Sequence, residues 1–369
     1  MKNDGKWDMI CKYLREPRQK TKRERGTMMK KYLSLLLAVL MTASLLAGCG
    51  GDTAADDTAA DDTADTETTD TGNTSTGSGV ELKFTTGGDQ GTYYGFGTVL
   101  AQYVTSNTGS KVTAVVSNGS QDNIEQMSMN TAQLGFVQSD VMSYAYNGER
   151  LFEGAPVEDF STVAALYMEQ VQIVTCDPSI QSVADLKGKN VSIGASGSGV
   201  YYNALDVLGA YGLTEDDINA TYQDFGNSVD ALQDGKIDAA FVVAGAPTVA
   251  VTSLATAKDV YLVSLDDEHI EALKAECPYY EKYVIPEETY EGVAEATTVA
   301  VVAVVIARDD VADDDVYNFV SAIFENTDAL AHDKAKELDL EFASSVTAVP
   351  YHPGAAKYFA EKGIEVPTK

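Results

Sequence analysis

Positive charge is scarce in this chain, and arginine is the scarcest form of it. Residues 80–369 contain 44 acids against 15 bases, a net of −29, and their two arginines are Arg150 and Arg308. Nucleic acid is excluded as a partner, because its phosphate backbone is bound by basic patches. The guanidinium fork that commonly clamps a carboxylate is also nearly absent. Arg150 sits in a glycine-flanked turn and Arg308 follows a long apolar run, so neither is placed on a ligand by sequence. Histidine is limited to His269, His332 and His352, scattered, with no His/Cys cluster at metal-ligand spacing. This leaves no cofactor to expect and little material for catalysis. His352, in the rigid turn Pro350-Tyr351-His352-Pro353, reads as structural. Asp313-Asp314-Asp315 lacks the Gly and Glu of a calcium loop and reads as a solvated helix lead-in. Of four cysteines, Cys176 and Cys277 fall in the folded part. They either form a disulfide, as exported cysteines can, or remain as two buried thiols. After residue 79 no segment is long and apolar enough to cross a membrane.

What is present is a unit that occurs twice, 108 residues apart. The first copy runs from Leu82-Lys83-Phe84 through Thr85-Thr86-Gly87-Gly88-Asp89-Gln90 to Gly91-Thr92-Tyr93-Tyr94. The second runs from Asn190-Val191-Ser192-Ile193 through Gly194-Ala195-Ser196-Gly197-Ser198 to Gly199-Val200-Tyr201-Tyr202. Each is an apolar strand, a Gly/Ser/Thr loop and a helix start. A helix start leaves backbone N–H groups unpaired and carries partial positive charge, so each copy is a candidate anion cradle. In the second copy the glycine spacing is wrong for a dinucleotide fingerprint, no Lys completes a P-loop, and the last glycine of a hydrolase elbow is missing. A Ser-lined amide nest and a plain capped turn remain. Ser117-Asn118-Gly119-Ser120 and Gln138-Ser139-Asp140 end two further strands, where they act as helix caps or as ligand contacts.

The first 79 residues have a different character. Lys30-Lys31, the apolar stretch Leu33–Leu46 and Leu46-Ala47-Gly48-Cys49 resemble a lipoprotein signal, with Cys49 as the lipidated new N-terminus. Residues 1–27 do not look like the start of such a signal, and Met28 or Met29 is the expected initiator. Residues 50–79 carry eight acids and no base, an acidic disordered linker.

Along the rest, strand candidates at Leu82–Thr86, Lys111–Ser117, Leu134–Gln138, Val163–Thr175, Asn190–Gly194, Thr221–Phe225, Ala239–Ala244, Val260–Ser264 and Thr298–Ala307 alternate with helical stretches. The helices are expected at Tyr93–Thr105, Gln121–Asn130, Val200–Leu208, Ser228–Asp234, His269–Glu276, Val316–Asn326 and Ala355–Lys362. Such alternation predicts parallel α/β sheets. The two longest strands, Val163–Thr175 and Thr298–Ala307, are either central buried strands or the crossings between two lobes. The second option divides the chain into lobe 1 at 80–168 with 300–369, and lobe 2 at 169–299.

As an ordered set, these motifs resemble the TAXI family of solute receptors of TRAP transporters. The residues that carry the resemblance are Thr86-Gly87-Gly88 with Gly91–Tyr94, Ser117–Ser120 with Asn123, and Gln138-Ser139-Asp140. Ser182-Val183-Ala184-Asp185-Leu186-Lys187-Gly188-Lys189, Gly194–Gly199 and Pro350–Ala355 complete the set. The resemblance implies a two-lobed α/β fold of the type II periplasmic-binding-protein kind with crossing hinge strands. It implies a non-enzymatic, extracytoplasmic receptor that captures a small organic anion, such as glutamate or 2-oxoglutarate, for a sodium-driven TRAP permease. Here the receptor would be held at the membrane by the Cys49 lipid anchor. The ligand residues carried over are Gly88, Thr92, Tyr93, Asn118, Ser120, Gln138, Ser196 and Ser198. Three other readings compete: an ABC-type receptor for a thiamine precursor or sulfonate, an exported Ser-dependent hydrolase on the same fold, and a signalling receptor.

Overall fold

A computed structural model describes residues 77–369. The lipoprotein-like segment, Cys49 and nearly all of the acidic linker lie outside the described residues. Strands β1 (Glu81–Thr85), β2 (Lys111–Val115) and β3 (Leu134–Gln138) alternate with helices α1 (Thr92–Asn107), α2 (Ser120–Ser128) and α3 (Ser139–Asn147). The 16-residue strand β4 (Phe160–Thr175) then leads into a second set. That set comprises β5 (Asn190–Ser192), α4 (Val200–Ala210), β6 (Asn219–Thr221), α5 (Phe225–Gln233), β7 (Ala239–Ala244), α6 (Val249–Ala257), β8 (Tyr261–Leu262), α7 (Asp267–Glu276) and β9 (Glu281–Ile285). The 13-residue strand β10 (Ala296–Arg308) returns to the first set, and α8 (Asp313–Phe324), the short α9 (Leu340–Ala343) and α10 (Pro353–Glu361) close it.

The strand order is β2-β1-β3-β10-β4-β7-β5-β6, with β8 paired to β4 and β9 to β10. Strands β1, β2 and β3 are parallel to one another, as are β5, β6 and β7, whereas β4 and β10 run antiparallel to their neighbours and to each other. Both long strands therefore pass through both sets. The β-branched run of β10 is buried along nearly all its length, as a strand covered on both faces must be. One core, around Phe84, Phe136, Phe319 and Tyr358, takes Val163 and Tyr167 from β4 and Ala303 and Val305 from β10. Another, around Val191, Leu208 and Phe241, takes Val171 and Ile173 from β4 and Val299 and Val301 from β10. Apolar clusters strung in this way along one strand pair make the two-lobed type II periplasmic-binding-protein fold.

One local expectation is corrected, and three elements occur where the sequence pattern showed none. The strand expected at Thr221–Phe225 ends at Thr221 instead, because Asp224 caps α5 by accepting from Asn227 N at 2.8 Å, and Phe225 opens that helix. Helices α3 and α6 replace stretches that showed no helical pattern. Seven of the nine residues of α3 are buried, so no polar face gives it a period, and α6 is rich in β-branched Val and Thr. Strand β9, charged and largely exposed, is held as an edge by its pairing with β10. Cys176 and Cys277 are free, half-buried thiols. His352 is fully buried and caps α10 by accepting from Gly354 N at 3.2 Å.

Helix α10 approaches α8 so closely that a Cβ on Gly354 would lie 2.1 Å from the carbonyl oxygen of Asp313. Gly354→Ala is expected to lower stability by roughly 1–3 kcal/mol through this backbone clash, measured by denaturant unfolding. A variant as stable as the parent would show that the two helices move apart at no cost.

Candidate ligand-binding site

A parallel strand followed by a helix places the helix N-terminus at the strand's carboxyl end. Four such junctions converge here. The loops after β1, β2, β5 and β6 deliver the starts of α1, α2, α4 and α5 to one cavity at the crossing of β4 and β10. The cavity is lined by Gly88, Thr92, Tyr93, Asn118, Ser120, Gln138 and Ser198 among the residues expected from sequence, and also by Glu169, Ala195, Gly199, Asp224 and Phe225. Ser196 is placed elsewhere, on an adjoining open depression with Tyr222, Asp230 and Lys236. No Lys, Arg or His lines the cavity. Among the described residues, no group of three His, Cys, Asp or Glu is arranged to hold a metal.

The side chains on this wall have different duties. Thr92 donates its hydroxyl to the Gly245 carbonyl at 2.8 Å, which ties α1 to the end of β7. Tyr93 stacks on Phe136, with ring centroids 4.6 Å apart, and donates its hydroxyl to Glu169 Oε2 at 2.6 Å. Ser120 donates to Gln138 Oε1 at 3.3 Å and accepts from Gln138 N at 3.1 Å. Ser198 Oγ is buried with no hydrogen-bond partner, a cost unless a ligand meets it. A Cβ on Gly199 would fall 1.4 Å from Gln138 Oε1, so any side chain there displaces the Gln138 amide from its bonds to Ser120 and Asn203. The tyrosines of the two repeated units diverge. Tyr93 faces Glu169, whereas Tyr202 donates to Gln121 Oε1 at 3.2 Å and Tyr201 to Glu215 at 3.2 Å.

Behind the cavity a polar chain joins the two strand sets. Gln138 Nε2 donates to Asn203 Oδ1 at 2.7 Å, and Asn203 Nδ2 donates to Asp140 at 2.9 Å and to the Tyr280 hydroxyl at 2.7 Å. Tyr280 donates to Asp206 at 3.0 Å, and Arg150 pairs with Asp206 at 2.7 Å while lying over the Tyr144 ring. Arg150 holds φ at 52°, a left-handed conformation that a non-glycine residue keeps only under tertiary constraint. The ion pair and the ring stack supply it. Burial pushes the Asp140 carboxyl up to about 6, and the nearby Asp206 charge acts the same way. On the opposite side Lys334 Nζ donates to the Ala246 carbonyl at 2.9 Å and pairs with Glu337 at 2.6 Å.

Glu169 escaped the sequence reading. Its signal was a single acid in the buried strand run Tyr167-Met168-Glu169-Gln170-Val171. Burial pushes its carboxyl up to about 8, against the opposing hydrogen bond from Tyr93. The folded protein therefore binds this proton more tightly than the unfolded chain does. That contribution to stability is complete below the unfolded carboxyl pKa of about 4.3 and is lost as pH rises towards 8. Between pH 6 and pH 8 the parent is expected to lose roughly 2 kcal/mol relative to Glu169→Gln. Denaturant titrations of both proteins at the two pH values check this, and parallel slopes would refute it.

Solved structures provide distant likenesses. An alkanesulfonate-binding protein, SsuA from Xanthomonas axonopodis pv. citri bound to MOPS, is 17% identical, with 76% of this chain and 83% of that chain covered and a TM-score of 0.45. A TRAP periplasmic solute-binding protein from Polaromonas sp. JS666, bound to D-erythronate, is 17% identical over 78% of this chain and 88% of that one, with a TM-score of 0.42. The amino-acid ABC transporter substrate-binding protein AbpA from Streptococcus pneumoniae, bound to L-arginine, is 16% identical over 70% and 95%, with a TM-score of 0.42. Among the described residues no helix is long and apolar enough to cross a membrane. Residues 84–363 match the NMT1-like family, and the chain belongs to that family.

Proposed function

We propose that this protein is a non-enzymatic extracytoplasmic receptor that closes on a small carboxylate-bearing solute, of the size of glutamate or 2-oxoglutarate, and hands it to a membrane permease. The observation that carries this reading is the convergence of four helix N-termini on one cavity whose wall also holds the unpartnered Ser198 hydroxyl. Oriented amides and hydroxyls can hold a carboxylate without a basic side chain, each charged hydrogen bond contributing roughly 1.5–3 kcal/mol. Residues 80–168 with 300–369 form one moving body and 169–299 the other, hinged where β4 and β10 cross. The bonds from Thr92 to Gly245 and from Gln138 to Asn203 belong to the closed form, which the solute favours by its differential affinity.

The permease is read as a sodium-driven TRAP transporter, on the motif resemblance. Membership of the NMT1-like family serves an ABC-type receptor equally well, and this is the second reading. Solute uptake by cells carrying the receptor distinguishes them. Loss of uptake when the sodium gradient is collapsed at constant ATP supports TRAP, and loss only on ATP depletion supports ABC.

Native mass spectrometry of the purified protein, followed by calorimetry with the solute it retains, tests the site. Ser198→Ala is expected to weaken binding about tenfold or more, whereas Ser196→Ala, on the adjoining depression, should change it less than threefold by the same yardstick. Equal effects would remove the cavity from the proposal. Cys49 is read as the lipid anchor, so mass spectrometry of the detergent-extracted protein should find a polypeptide that begins at an acyl-bearing Cys49. A mature N-terminus elsewhere, or an unmodified Cys49, would refute the anchor.

A further inference from the structure

One carboxylate interrupts the apolar face of the hinge. On β4 the residues Tyr167, Glu169, Val171 and Ile173 share a face, since side chains alternate along a strand. Tyr167 enters the first core, Val171 and Ile173 enter the second, and Val301 of β10 stands opposite Glu169. Every neighbour in this row is apolar or aromatic, yet Glu169, 2% exposed, is ionisable and lines the cavity. Its carboxylate accepts one hydrogen bond, from Tyr93. The basic side chain that acts on it electrostatically, Lys334, is committed to Glu337 and the Ala246 carbonyl. A buried carboxylate without a cation is costly, and structural carboxylates in such places are paired.

We infer that Glu169 is an ammonium subsite, so that the cavity takes an amino carboxylate in preference to the oxo or hydroxy acid of the same skeleton. The inference rests on the proposed receptor reading of this cavity. An amine-free acid would leave the second Glu169 oxygen without a cation to pair with and would meet Asp224 in a lining with no basic side chain. An ammonium group cancels the Glu169 charge, while the solute carboxylate keeps the helix N-termini and Ser198. Tyr93 holds one carboxylate oxygen and leaves the second for the ligand.

The protonation balance follows. Facing Glu169 are Tyr93 from α1, Asp140 from α3, Tyr167 from its own strand, and Lys334 from the 3-10 turn Asp333–Glu337. In the empty cavity the carboxyl, pushed up to about 8 by burial, holds its proton at neutral pH. An arriving ammonium group selects the ionised form. The carboxyl proton leaves to solvent, about one per solute bound at pH 7, and affinity rises with pH towards 8.

The test is calorimetry of the intact mature protein with the standard amino acids and their matching 2-oxo acids, in buffers of different ionisation enthalpy. At least one amino acid should bind about tenfold to a hundredfold more tightly than its 2-oxo acid, with release of close to one proton at pH 7. Glu169→Gln should reduce that preference to less than about threefold, chiefly by weakening the amino acid. Tighter binding of an amine-free acid, or proton uptake on binding, overturns the subsite. Should Glu169→Gln fail to fold, proton release by the parent protein decides alone. If an amine-free acid binds and Ser198→Ala weakens it, the ammonium subsite fails while the receptor reading stands. If no acid of either set binds, both fail.

Discussion

The antiparallel pairing of β4 with β10 is the constraint on which the rest of this molecule depends. Each strand is long enough to run from one core into the other, so each lobe is completed by backbone that the other lobe also uses. Main-chain hydrogen bonds fix the register of the pair, and near-complete burial of both faces excludes water from it. The parallel strands of each lobe then have one place to point their carboxyl ends, which is across the crossing at the other lobe. The cavity is the geometric consequence. The position of Glu169 at the centre of the crossing, where the two cores part, follows from the same pairing.

Charge is arranged economically around that cavity. The chain is strongly acidic, and its two arginines and the buried Lys334 are already engaged by other groups of the fold. Arg150 pairs with Asp206 behind the cavity, Lys334 grips the Ala246 carbonyl beside it, and Arg308 pairs with Asp310 at the surface. No basic side chain lines the cavity, so the partial positive charge on its wall is that of the helix N-termini. These are fixed by the fold and lose no side-chain entropy when they meet a ligand. The polar chain from Ser120 through Gln138 and Asn203 to Asp206 links the cavity wall to the buried ion pair. Residues on the wall and residues that hold the lobes together are thus hydrogen-bonded neighbours.

Much of the architecture was legible in the sequence. Glycine-rich loops between an apolar strand and a helix mark the ends of β1 and β5, and the uninterrupted β-branched run of β10 marks a strand buried on both faces. Seven residues singled out from these loops share one cavity, because strand-end loops of parallel sheets gather on one edge. Ser196 does not join them, since one residue more or less around the positive-φ turn at Gly197 decides which way a side chain faces. Helix α3 was hidden because most of its surface is buried, and α6 because its β-branched residues suit a strand as well as a helix.

By itself the sequence determined the strand–loop–helix units, the two long strands and the near absence of basic side chains, all of which are set by local pattern and composition. It also determined that glycine stands at position 199. Only the tertiary structure decided why, by bringing Gln138 to where a Cβ would be, and it alone placed Asn203 between Gln138 and Asp140 and set Glu169 against Tyr93. Those contacts join residues 61, 65, 63 and 76 positions apart across two lobes. They are made between segments that only the packed fold brings together, which no local pattern encodes.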